Sequence, residues 1–408
     1  MDEATPATAA GGSRRLSRPG RAGHWLRAAA VTASAAALAV GPALSAQADG
    51  IRDQEWAVKA LHLSQAWRTT KGKGVTVAVL DTGVDADNPD LDGQVLADKD
   101  LVGFGARPGD PAWASHGTAM AGLIAGHGHG SGHQDGVVGV APQAKILPVR
   151  VILEDDDPAR ERARTERGGA LADGIRYAVD HGADVINLSL GDDSKSAHPE
   201  PREDDAVQYA LGKGVPVVAS AGNGGDQGSH VSYPAAYPGV IAVTAVDRFG
   251  LRAHFSTRHW YATLCAPGVQ VLMPNPNGRY YEGWGTSPAA AFVSGTVALL
   301  RAAHPGLSPA QIRQLLTDTA QDPPKGGRND DLGAGLVDPA AALKAAAHLT
   351  PAAEKPSPAA YRAAHFGPGP QDDDTDDGPG WLVWTSTALG AAFVAAAVAL
   401  WRRWRPAD

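Results

Sequence analysis

The chain has 408 residues and a formal net charge of −8, enough length for one large α/β domain with appendages. The acidic balance, with no dense Lys/Arg run in the middle of the chain, excludes a nucleic-acid partner. A single cysteine, Cys265, excludes any intrachain disulfide, so stability must come from core packing, and the thiol itself reads as a small buried group at a strand end.

Residues 1–48 carry Arg14, Arg15, Arg18, Arg21 and Arg27 ahead of an Ala/Val/Leu-rich run, and they close on Ala46-Gln47-Ala48. That is the layout of a secretory signal, with cleavage expected after Ala48. Residues 49–73 form an N-terminal extension. From residue 74 to 349, apolar runs alternate with helical patterns. The runs at 75–80, 146–151, 185–190, 215–219 and 240–246 are nearly continuous Val, Ile and Leu, the pattern of strands in a parallel sheet covered on both faces. Helices are expected over 171–181 and 204–213, each followed by a glycine, Gly182 or Gly214, where a helix stop belongs. The expected fold is α/β, a doubly wound, mostly parallel sheet with helices on both faces.

Chemistry-bearing residues fall at the ends of these elements. Asp81 follows the first strand, and Gly83 lets the chain turn there, so its carboxylate lies at the carboxyl edge of the sheet. His116 and Ser287 each open a helical run, 117–125 and 288–303. A serine hydroxyl is a poor nucleophile until a base takes its proton; His116 supplies an imidazole whose ordinary pKa is about 6.5. Asp81 would hold the other ring nitrogen and stabilise the imidazolium. Asn223, on the loop after the 215–219 strand, can donate to the oxyanion of a tetrahedral intermediate together with the Ser287 N–H. Asp before His before Ser is one of the three chain orders in which this trio recurs on unrelated folds.

Two other clusters read more plainly. His127, His129 and His133 sit in a glycine-rich stretch with no acidic or thiol partner at a recognised spacing, so a flexible surface loop is expected and no metal is assigned. The stretch from Glu154-Asp155-Asp156-Asp157 through Arg167 reads as a solvated loop and helix, with partner docking as the alternative. No cofactor is expected. Residues 350–380 form a Pro/Asp-rich linker that cannot bury enough apolar surface to order itself. Residues 381–401 are uncharged, rich in Ala, Val and Leu, and bracketed by Trp381, Trp384 and Trp401, which fits one C-terminal transmembrane helix. Arg402, Arg403 and Arg405 keep the 402–408 tail in the cytoplasm and leave the 74–349 domain outside the cell.

Asp81-Thr82-Gly83, His116-Gly117-Thr118, Ser220-Ala221-Gly222-Asn223 and Gly285-Thr286-Ser287 resemble, in this order, the four signature segments of the subtilisin-like serine proteases, the subtilases. The resemblance covers roughly residues 75–343. It implies a serine endopeptidase with Asp81, His116 and Ser287 as triad and Asn223 as oxyanion donor. It also implies that Ser189, Leu190 and Gly191, with Ala221 and Gly222, line the primary specificity pocket, and that Ser232 lies near its floor. A small or medium apolar residue before the scissile bond is then expected, on a peptide that adds as an extended strand. Within the subtilases, the signal, the segment Gln54-Glu55-Trp56-Ala57-Val58-Lys59-Ala60-Leu61, the stalk and the terminal helix resemble the mycosins, membrane-anchored proteases of actinobacterial type VII secretion systems. That resemblance implies a protein or peptide substrate, the cell membrane and a type VII secretion complex as partners. The chain departs from the pattern in its lone Cys265, where mycosins commonly carry disulfides, and in Pro288 and Ala291 after the serine. Proline at the first helical position lacks only an N–H that has no intrahelical partner. The alternatives are a general extracellular processing subtilase and a catalytically idle scaffold; the presence of all four residues argues against the scaffold.

Overall fold

A computed structural model describes residues 50–110 and 112–350. The expected signal peptide, membrane helix and cytoplasmic tail lie outside the described residues, as does the linker beyond Thr350. Among the described residues no helix is long and apolar enough to cross a membrane.

The strands in chain order are β1 (Thr76–Asp81), β2 (Lys99–Asp100), β3 (His127–His129), β4 (Asp135–Val138), β5 (Lys145–Arg150), β6 (Val185–Leu188), β7 (Val217–Ser220), β8 (Ile241–Val246), β9 (Ala262–Pro267), β10 (Val271–Pro274) and β11 (Tyr280–Gly283). The helices are α1 (Ile51–Gln54), α2 (Trp56–Ala60), α3 (Leu63–Ala66), α4 (Ser115–Ala125), α5 (Arg160–Glu166), α6 (Ala170–Asp180), α7 (Pro201–Gly212), α8 (Thr286–Ala303), α9 (Pro309–Asp318) and α10 (Pro339–Ala346). Seven strands form one parallel sheet in the order β2-β5-β1-β6-β7-β8-β9, while β3–β4 and β10–β11 are antiparallel pairs.

Successive side chains of a strand point to opposite faces, so a strand apolar throughout must be covered twice. In β1, Val77 and Val79 pack into one core with Leu123 of α4 and Phe292 and Val297 of α8. Ala78 and Leu80 pack into a second core with Ile175 of α6 and Val207 of α7. Both helix stops fall where glycine adopts a left-handed backbone, at Gly182 and Gly214. The start of β7 differs from expectation, at Val217 rather than residue 215. The Val215 N–H closes α7 by donating to the Ala210 carbonyl at 2.9 Å, and so is not available to the sheet.

The extension over residues 49–73 is woven into the first core. Leu61 and Leu63 are fully buried there with Ala57 and Ala66. Trp67 Nε1 donates to the Val140 carbonyl at 2.8 Å, and Glu55 accepts the Val138 N–H at 3.0 Å. The histidine-rich stretch is not a flexible loop but the β3–β4 hairpin. His129 Nδ1 meets the buried carboxylate of Asp90 at 2.7 Å, a partner from far outside the local spacing. No group of three His, Cys, Asp or Glu side chains placed to hold a metal ion occurs among the described residues.

Candidate active site

Asp81 is the last residue of β1, between β5 and β6, where the chain's connections diverge to opposite sides of the sheet. In open α/β sheets the crevice at such a switch point is the natural ligand site. The Asp81 side chain is fully buried, and its Oδ1 accepts the Thr82 N–H at 2.7 Å. His116, the second residue of α4, places Nδ1 2.8 Å from Asp81 Oδ1 and 3.0 Å from Oδ2. Two glycines permit this approach. Gly83 turns with φ +108°, and a Cβ on Gly117 would lie 1.9 Å from the Gly83 carbonyl oxygen. Desolvation works to lower the His116 pKa, but the charge and hydrogen bond of Asp81, aided by Glu154 and Asp155, push it up to about 9. About a third of the imidazole side chain (32%) stays exposed.

Ser287 is the second residue of α8, so its N–H has no intrahelical acceptor and is free to donate outward. Pro288 is therefore third in the helix, not first. It is still within the first turn, where a missing N–H costs no helical hydrogen bond. Ala291 is fully buried within an unbroken helix. The Ser287 hydroxyl donates to the Ser189 carbonyl at 3.0 Å, and the Ser189 hydroxyl returns a bond to the Ser287 carbonyl at 2.9 Å. Asn223 Oδ1 accepts both the Thr286 N–H at 2.9 Å and the Thr286 hydroxyl at 3.0 Å. With its oxygen held on two donors, the amide presents Nδ2 on its other side as a donor.

The expected pocket residues come together between the ends of β6 and β7. Ser220 Oγ donates to the Leu190 carbonyl at 3.2 Å, tying the two segments together. A Cβ on Gly191 would lie 3.0 Å from Ser232 Oγ, which places Ser232 against Gly191. Ser232 is fully buried, and its hydroxyl has no hydrogen-bond partner among the described residues. The Tyr261 hydroxyl donates to the Ala221 carbonyl at 3.1 Å and accepts the Ser232 N–H at 3.0 Å, so it ties Ala221 to Ser232. Gly222 N–H reaches Thr286 Oγ1 at 3.3 Å, linking Gly222 to the helix that carries Ser287.

Sequence reasoning missed Tyr261, Thr286 and Glu154. Glu154 is not part of a solvated run. Its Oε1 accepts the His116 N–H at 2.8 Å, and the Thr82 hydroxyl is a second partner. Burial raises the pKa of its carboxyl, against the lowering effect of those two hydrogen bonds. Asp157 is also buried, accepting the Ala106 and Ala159 N–H groups at 2.7 and 2.8 Å. The available signal was positional: Glu154 closely follows β5, the strand paired to β1 with Asp81 opposite Arg150.

Buried carboxylate, imidazole, serine at a helix start and oriented amide are the parts from which acyl transfer to a serine is built. Comparison with known proteins agrees. Fervidolysin from Fervidobacterium pennivorans is 39% identical over 323 residues, 72% of this chain and 44% of that protein. A thermophilic serine proteinase from Bacillus sp. (strain AK1) is 41% identical over 256 residues, 62% of this chain and 59% of that protein. The chain thus spans about half the length of these relatives. The crystal structure of MycP1 from the ESX-1 type VII secretion system superposes with a TM-score of 0.61 at 30% identity, covering 71% of this chain and 85% of that one. The subtilase family profile matches residues 72–335, and the protein whose motifs converge at this sheet edge belongs to the subtilase family.

Proposed function

We propose that the protein is a serine endopeptidase of the subtilisin type that cleaves protein or peptide substrates. The observation that carries this reading is the Asp81–His116 pair at 2.8 Å, with Ser287 second in α8 and the Asn223 amide held by Thr286 at that same helix start. A substrate carbonyl enters between Ser287 and Asn223. Rotation of the Ser287 side chain exchanges the Ser189 carbonyl for His116 Nε2 as acceptor, and His116 takes the proton as Oγ attacks. The oxyanion is received by Asn223 Nδ2 and the Ser287 N–H, and His116 then protonates the leaving amine. The small walls of Ser189, Gly191, Ala221 and Gly222 favour a small or medium apolar residue before the scissile bond.

The proposal extends to place and partner. The likeness to MycP1 from the ESX-1 type VII secretion system, together with the signal and terminal apolar segment read from the sequence, supports a mycosin-like protease tethered to the cell membrane and facing outward. Incubating the full-length protein and its Ser287→Ala variant with a fluorogenic peptide library tests the chemistry. Cleavage after Ala, Val or Leu by the first alone is expected. Equal cleavage by both would sink the enzymatic reading, and a preference for Phe, Tyr or basic residues would sink the pocket assignment. Loss of type VII substrates from the culture medium on chromosomal deletion is the expected outcome for the secretion role.

A further inference from the structure

We propose that Glu154 is a positioning residue of the hydrolytic site: from the segment leaving β5 it caps the helix that carries His116, and its charge, beside that of Asp81, sets how readily the imidazole gives up its proton. This rests on the serine-protease reading above.

The first N–H groups of an α-helix have no intrahelical acceptor. Ala114, the residue before α4, has no side-chain oxygen to offer and stands in a left-handed conformation at φ 51°. The Ser115 hydroxyl is occupied by Asn275 Nδ2 at 3.2 Å. The acceptors come from elsewhere in the chain: Glu154 takes the His116 N–H at 2.8 Å, and Thr82 Oγ1 takes the Gly117 N–H at 3.1 Å. Thr82 also bonds Glu154, and its own N–H is held by Asp81. The two acceptors that fix the start of α4 are thus tied to each other and to the carboxylate that orients the imidazole. A carboxylate at a helix N-terminus is further favoured by the positive end of the helix dipole.

The charged groups facing His116 are Asp81 from the end of β1, and Glu154 and Asp155 from the segment after β5. Asp155 is 93% exposed and paired with Arg160 at 2.7 Å, so water, salt and its partner screen it. Tyr281 on β11 faces both Glu154 and Asp81; burial and those two carboxylates push its hydroxyl up to about 12, so it stays neutral and cannot offset their charge. Glu154 is therefore the second carboxylate whose charge reaches the base with little screening.

The test uses the full-length chain in detergent, with succinyl-Ala-Ala-Pro-Leu-p-nitroanilide as substrate, a fluorophosphonate to count active serines, and variants Glu154→Gln and Glu154→Ala. The glutamine keeps an acceptor for the His116 N–H but removes the charge. The lost charge lowers the imidazole pKa, so the acid limb of kcat/KM moves to lower pH by about half a pH unit, with KM nearly unchanged. The alanine removes the cap as well, and kcat falls roughly tenfold where the glutamine variant keeps most of its own. A purely structural role would lower thermal stability in the alanine variant and leave the acid limb of the glutamine variant in place; that result overturns the proposal. The His116 Hε1 resonance, titrated by NMR in the same proteins, reads the charge effect without catalysis. A wild type that neither cleaves nor takes the fluorophosphonate thus sinks the protease reading, while an imidazole titration unmoved by Glu154→Gln sinks this one.

Discussion

At the scale of single residues, the proposed protease is expected to take its pH dependence from His116. With its pKa pushed up to about 9, most of the imidazole is protonated at neutral pH and cannot act as a base. The value of kcat/KM is therefore expected to climb from pH 7 and level off above about 9; initial rates across this range check it, and a plateau already reached at pH 7 would contradict it. The same shift has a consequence for stability. A folded-state value above the unfolded value of about 6.5 means that protonated His116 stabilises the fold fully below that pH, and that this contribution is lost as pH rises through about 9. Urea midpoints of Ser287→Ala, with and without His116→Ala, should converge toward high pH. Asp81, His116, Ser287 and Asn223 stood out in the sequence because each sits at the edge of an apolar run or helix, in a recognisable order. Glu154 was not, because its partner is a backbone N–H 38 positions away, and a run of acidic letters looks alike whether solvated or bonded. Thr286 lay inside a recognised motif, but its role depends on which way the Asn223 amide faces.

At the scale of elements, α4 and α8 carry His116 and Ser287 at their starts, and the fit of α4 is the tighter constraint. A methyl group on Gly117 meets the Gly83 carbonyl, a backbone atom of the turn that follows Asp81. Gly117→Ala should therefore cost about 3 kcal/mol or more, or prevent folding. Gly212→Ala, in α7 with nothing within 4 Å of the added Cβ, should be neutral or stabilise by roughly 0.5–1 kcal/mol. Thermal melts of both variants test the contrast. The five strands read from continuous Val/Ile/Leu runs all occur in the parallel sheet, since burial on two faces leaves that mark. The two hairpins were illegible. They are short, and β3–β4 is made largely of Gly and His, whose pairing depends on Asp90 and Glu55 from elsewhere in the chain.

At the scale of the whole molecule, the core is closed by its two chain-distant ends. Leu61 is fully buried in the same cluster as Leu343 and Ala346 of α10, and Gln321 Nε2 donates to the Ala60 carbonyl at 3.2 Å. Leu61→Ala is expected to cost about 2–5 kcal/mol in a urea titration, although it touches no catalytic group. From the sequence, residues 49–73 read only as an extension because their helices are short, which is also how a core seam looks before its partner is known. Such a seam dictates an order of events. Part of the extension, at Ala60 and Leu61, meets its last partners only when the chain past residue 321 has been delivered, so this seam closes after synthesis of the last helices, at the cost of a long loop closure. Cys265 can time that step. It lies in β9, 2% exposed, its thiol pushed up to about 12 by burial, and its backbone bonds Gly335 and Val337. Chains that stop before residue 335 should leave the thiol open to maleimide, whereas chains that run past residue 346 should protect it, so a single native atom marks when the late segment docks.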